Sequence, residues 1–149
     1  MKLIIKKSPK NLKHKPIVSV NNYEEIDAMT HGHSDAKALS IGRSSWDNGN
    51  ISLKIWRHSG KRWSRQSEEM PIHRCLDLAI LFLACLQKDK DLPYPTNSLP
   101  LTIDDNDDFN LIREFYACET NRKHIDARLY ELRNLLNEWY NREGVNHEK

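Results

Sequence analysis

Nine consecutive uncharged apolar residues, Leu78 to Leu86, constrain this 149-residue chain more than anything else in it. As a helix the run would reach roughly 14 Å, about half of a bilayer's hydrocarbon core. It therefore predicts a buried element of a folded protein and no membrane span. Ile72, Cys75, Leu76, Ala79, Ile80, Leu83 and Leu86 recur at helical spacing, so the helix is expected from Pro71 to about Lys88. Proline suits a first helical position, because its missing N–H needs no partner there. From Leu78 onward the segment is apolar nearly all round, which predicts the central buried helix.

The rest of the chain is soluble in character. With 38% hydrophobic and 30% charged residues it can hold a core and is not a disordered composition. Its length predicts a single domain over 1–149, with a basic segment at 1–15 and a frayed tail at 145–149. Cys75, Cys85 and Cys118 show no C-x-x-C spacing, and the apolar stretch Leu3 to Ile5 is too short for a secretory leader. The thiols read as reduced and the protein as cytoplasmic.

The net charge of +2 names no partner, but the charges are unevenly placed. Residues 1–16 hold six lysines and no acid, and Asp104 to Asp108 hold four aspartates. Lys54, Arg57, Lys61, Arg62 and Arg65 fall in 51–66, again without an acid.

Period-two alternation marks the strands. Pro16 to Val20 reads as extended and stops at Asn21-Asn22, and Tyr23 to Met29 reads as a short helical turn. Lys37 to Arg43 and Ile51 to Arg57 alternate, joined through Trp46 to Asn50 with its Asn-Gly turn signal. Ser59-Gly60 reads as a tight turn into Lys61 to Gln66, which makes 37–66 an antiparallel meander. After a proline-containing loop from Asp89 to Pro100, a second helix is expected around Phe109 to Tyr116, begun by the aspartates. A third, capped by Thr120 or Asn121 and stopped near Gly144, carries Ile125, Leu129, Leu132, Leu136, Trp139 and Tyr140 on one stripe. The fold class is α+β: an antiparallel β-meander packed against a buried central helix, followed by two C-terminal helices.

A two-residue Ser59-Gly60 loop sets His58 opposite Lys61, Trp56 opposite Trp63 and Lys54 opposite Arg65. Ile51, Leu53 and Ile55, extended by Leu39 and Ile41, form the core face. Lys54, Trp56, His58, Lys61, Trp63 and Arg65 form the other, beside a floor of Ala38, Ser40 and Gly42. Cations around an aromatic pair suit a planar anion, since indole stacks a base and cations pair with phosphate. The same pair also stabilises a sheet with nothing bound, so a structural role stands beside the ligand role.

The segments Asp35 to Gly42 and Lys54 to Ala79, containing Lys54-Ile55-Trp56-Arg57-His58 and Trp63-Ser64-Arg65, resemble a small family of bacterial and phage proteins of unknown function. The resemblance covers roughly 14–85 and implies no activity.

Other constellations are thinner. His31-x-His33-x-Asp35 has the alternation of a metal half-site, but Gly32 and Thr30 mark a loop and no second half-site follows. Glu68, Glu69, His73, Arg74 and Asp77 read as a charge cluster at the junction of sheet and helix. No phosphate-binding glycine loop or serine elbow occurs, and no cofactor or catalytic set is expected. The reading that follows is a non-enzymatic protein capturing a small anionic ligand, a nucleotide above all; a phage-type protein sequestering a host nucleotide signal is one form. A nucleic-acid or protein interaction module on the same face is the alternative. A hydrolase using His58, His73 and Asp77 is the third. The stripe of the third helix reads either as core or as the surface of a homodimer through residues 121–142.

Overall fold

In a computed structural model, residues 13–47, 49–64, 67–87 and 101–142 are described. The basic residues before Lys13, Arg65, the segment 89–100 expected as a loop, Gly144 and residues 145–149 lie outside them. The chain divides into two compact units, Met1–Leu101 and Thr102–Lys149, where the length alone predicts one domain.

The first unit is a four-stranded antiparallel sheet in the order β1-β2-β3-β4. β1 is Lys15–Asn21, β2 Ala36–Arg43, β3 Ile51–Arg57 and β4 Glu69–Pro71. Short 3₁₀ turns at Tyr23–Glu25 and Ala28–Thr30 connect β1 to β2, where a helical turn is expected. The β2–β3 loop closes through Ser44, whose N–H donates to the Asn50 carbonyl at 2.9 Å and whose hydroxyl donates to the Asp47 carbonyl. Asp47 then caps the turn by accepting the Gly49 N–H at 2.9 Å. β1 can lie against β2 because residue 42 is glycine. A Cβ there would stand 2.0 Å from the Lys15 carbonyl oxygen, and the ladder is bulged at that point, between Pro16 and Val18.

Two expectations need correction here. Among the described residues the last strand of the meander is Glu69–Pro71; of the expected 61–66, Lys61 to Ser64 are described, and there Trp63 makes an isolated bridge instead of a strand. Ser59 and Arg62 close a wider loop, with the Ser59 N–H donating to the Arg62 carbonyl at 3.0 Å, so His58 opposes Trp63 instead of Lys61. Gly60, at φ 98°, supplies the left-handed residue this loop needs.

The helix α1, Ile72–Gln87, starts directly after Pro71 as the spacing predicts. It is not the buried centre. Leu76 is 55% and Leu78 54% exposed, and only Ala84 is fully buried. It emerges from the short edge strand β4 and meets mainly β3 and β4, so the sheet covers one narrow stripe of a helix that is apolar on most sides.

The second unit is a helical hairpin. α2 spans Phe109–Ala117 and α3 spans Glu119–Asn141. The aspartate block does organise the start of α2: the Asp105 carboxylate accepts the backbone N–H groups of Asp107 and Asp108 at 2.9 and 3.0 Å. The cap of α3 is Cys118, without a side-chain bond, and not Thr120 or Asn121. Asn121 instead donates its side-chain amide to the Phe115 carbonyl at 2.9 Å, tying the two helices.

Candidate functional site: two unlike faces of one sheet

Alternation divides the sheet as expected, but the faces exchange roles. Ala38 pairs with Trp56, Ser40 with Lys54 and Gly42 with Ser52 across β2 and β3. This small-residue face is the buried one. Trp56 is 1% exposed, and Ala38, Ser40, Ser44 and Ser52 are buried with it. The floor of small side chains has an occupant supplied by the chain itself: the Trp56 indole and the His14 imidazole. Their rings meet edge to face at 5.7 Å.

The polar atoms on this face are satisfied internally. The indole N–H of Trp56 donates to Ser40 Oγ at 2.8 Å. His14 Nε2 lies 2.9 Å from the same hydroxyl, and Nδ1 lies 2.8 Å from Ser52 Oγ. A neutral imidazole fits this arrangement: Ser40 gives its own proton to one ring nitrogen while the other donates to Ser52. Burial holds the His14 pKa below its ordinary value, with Lys54 acting in the same direction and Glu69, 3.7 Å away, opposing. Lys54 lies over the Trp56 ring at 4.1 Å, and burial lowers its pKa as well. Its charge is thus committed to an indole inside the protein. His14 escaped the sequence reading because a single histidine among lysines carries no spacing signal.

Trp63 stacks edge-on against both Trp56 at 5.9 Å and His58 at 5.0 Å, so the two indoles are neighbours as expected, in a different register. Of the residues assigned to ligand binding, Ser40 and Trp56 are interior, and Lys54 is tied to Trp56. His58 and Trp63 are half-buried at the turn and Lys61 is exposed there. Arg65 lies outside the described residues.

The charge cluster is also rearranged. Glu68 takes Arg57 through Nε at 2.9 Å and Nη2 at 2.6 Å, and Asp35 takes Nη1 of the same guanidinium at 2.5 Å. That fork raises the Arg57 pKa and lowers that of Glu68. Glu69 instead accepts the Ser45 N–H and hydroxyl, both at 3.0 Å. No salt bridge joins His73 or Arg74 to Asp77, so the expected cluster is split. Asp35 being held by Arg57, His31 and His33 stand exposed in their turn. Among the described residues no group of three or more potential metal ligands gathers.

The opposite face, expected to be core, is open. Val18 is 62%, Val20 45% and Ile41 44% exposed. Between them lies a cavity of about 440 Å³, lined chiefly by Val18, Val20, Leu39, Leu53, Ile55 and Met70, with the Cys75 side of α1 at its margin. Tyr23, Lys54 and the Arg57-bound Glu68 also belong to the lining. This is a concave apolar surface on three adjacent strands, of the size that small-molecule sites occupy.

No curated protein and no solved structure matches the chain. The family model of a family of unknown function, DUF6530, matches residues 6–141, which takes in the sheet, α1 and the whole helical hairpin. With its buried Trp56–Ser40–His14 face and its open aliphatic face, this chain is a member of the DUF6530 family.

Proposed function

We propose that the protein is a non-enzymatic binding protein whose ligand is a small, mainly apolar molecule seated on the open face of the sheet. One observation carries the reading: the cavity of about 440 Å³ lined by aliphatic side chains of β1, β2 and β3. Aliphatic surface left in water costs about 25 cal/mol per Å². A ligand that covers Val18, Val20 and Ile41 recovers that cost. Lys54 belongs to the lining, but its ammonium lies over the Trp56 ring at 4.1 Å, so an apolar or neutral amphipathic molecule fits better than an anion. The opposite face supports a scaffold role, since the Trp56 indole and the His14 imidazole share Ser40 and are buried.

The test is a titration with the neutral naphthalene dye N-phenyl-1-naphthylamine, whose emission rises in an apolar site. Saturable binding is expected, lost in Leu53→Glu and kept in Lys61→Ala. No saturable signal, or equal binding by Leu53→Glu, would reject the reading.

A second reading keeps the anionic ligand but moves it outward. Lys61 and Arg62 are exposed on the turn that carries the half-buried Trp63. Nucleotide capture there would leave one indole edge for the base. It is favoured instead if mononucleotides give heat in a calorimeter and Lys61→Ala abolishes it.

A further inference from the structure

α3 has 23 residues and about 35 Å of length, and α2 has nine residues. The short helix supports the first half of the long one. There Asn121, His124, Ile125 and Leu129 are half-buried, Asn121 bonds the Phe115 carbonyl, and the Tyr116 hydroxyl donates to Asp126. From Glu131 to Arg142 every residue is exposed, including Leu132, Leu135, Leu136, Trp139 and Tyr140. An isolated helical stretch of this length is marginal in water.

The stripe has a particular spacing. Ile125, Leu129, Leu132, Leu136 and Trp139 are separated by four, three, four and three residues, the alternation of a coiled-coil seam. A seam of this kind is filled by a helix with the same repeat, and α3 itself has it. The flanking charges decide the direction. In a parallel pair the residues before and after the seam place Arg128 against Arg133 of the second copy, twice, and Arg122 against Arg122. Among antiparallel registers, one centred further toward the C-terminus sets Arg133 against Arg133, and one centred nearer the N-terminus sets Asp126 against Asp126. The register centred between Tyr130 and Glu131 opposes Ile125 to Leu136 and Leu129 to Leu132. It pairs Asp126 with Arg133 on both sides of the axis, and it places Arg122 against the indole of Trp139. The centre of that register is also the middle of α3, so each bare half meets the half that α2 supports.

We propose that the protein forms an antiparallel homodimer through α3, in the register that pairs Asp126 with Arg133 of the second copy. Asp126 can hold Tyr116 and an arginine together, because a carboxylate accepts at both oxygens. Leu111 and Phe115 on α2 are exposed as well, 53% and 51%.

The experiment is sedimentation equilibrium of the full chain at low salt, with circular dichroism as a check of helix content. Wild type should sediment at twice the 17.5 kDa chain mass. Asp126→Arg and Arg133→Asp should each weaken association at least tenfold. Mixed one to one, the two variants should form a heterodimer, since both ionic contacts are then of opposite sign. If Asp126→Arg loses helix through the Tyr116 contact, Arg133→Asp and Leu136→Lys carry the test. A wild type that stays monomeric at 100 µM would overturn the proposal. So would tighter self-association of Arg133→Asp, which is the parallel outcome, or failure of the two single variants to pair.

Discussion

Replacing Ser40 by alanine removes one hydroxyl and orphans two buried groups. The Trp56 indole N–H, at 2.8 Å, and His14 Nε2, at 2.9 Å, both bond to that oxygen. Trp56 and His14 are almost wholly shielded from solvent, so water cannot step in without opening the face. Each buried polar group left without a partner costs about 1–3 kcal/mol. The expected loss is therefore about 2–6 kcal/mol, a large part of the ~5–15 kcal/mol that holds a domain of this kind. The steric change is small, because alanine fits beside Ala38, so the loss reports the polar network and little else. Urea unfolding read by tryptophan fluorescence measures it, on a Trp139→Phe background so that the signal comes from the first unit. The separation matters because the two units need not unfold together. Trp56→Phe removes the indole donor, and the Ser40→Ala/Trp56→Phe double variant should then lose less than the sum of the two singles. A midpoint shift for Ser40→Ala worth under about 0.5 kcal/mol is what a solvated surface position would give. That result, or strict additivity in the cycle, would refute the interior assignment of this face.

Stability should fall in two steps as pH drops, and the signs follow from the folded-state pKa directions. His14 is held below its ordinary 6.5, so the unfolded chain takes the proton first and stability declines as pH falls below about 6.5; His14→Gln should flatten this step in a pH series of urea midpoints. Glu68 is held below its ordinary 4.5 by Arg57, so its contribution is present above that value and fades below it, and Arg57→Met should remove the lower step. Because Glu68 and Asp35 are 41% and 57% exposed, Arg57→Met should cost no more than about 1 kcal/mol at neutral pH, a value that shrinks in salt. Gly42→Ala should cost at least about 1–3 kcal/mol, because its Cβ would meet the Lys15 carbonyl and β1 would have to move; unchanged thermal unfolding would show that the strand is loosely held.

Much of the first unit is legible in the alternation of its strands. Lys37 to Arg43 and Ile51 to Arg57 form β2 and β3 with neighbouring boundaries, and Pro71 marks the start of α1 within a residue. What alternation cannot supply is which face points inward. Ala38, Ser40 and Gly42 look like the small-residue floor of a ligand face, yet small residues also make room for a large ring. Trp56 and His14 fill that room, and this depends on His14 arriving from outside the meander. Register failed at one place for a local reason. Ser59-Gly60 is a good turn signal, but the Ser59–Arg62 bond makes a wider loop and brings His58 opposite Trp63. β4 has three residues, too few for any period, and so the Arg57–Glu68–Asp35 fork that depends on it was hidden. Apolar composition identified α1 as a helix but not its degree of cover, because hydrophobicity states what a residue prefers and not what its neighbours can reach. The stripe on α3 was readable throughout, since five apolar residues at one spacing survive any uncertainty at the helix ends.

The central claim, that the aliphatic face of the sheet is the binding surface, is tested most directly by methyl NMR during titration with 1-decanol. The account predicts saturable shifts confined to Val18, Val20, Leu39, Ile41, Leu53, Ile55 and Met70, with the indole N–H of Trp56 unmoved. Shifts that do not saturate, or that fall on Trp56 and Trp63 while these methyl groups stay in place, would contradict it.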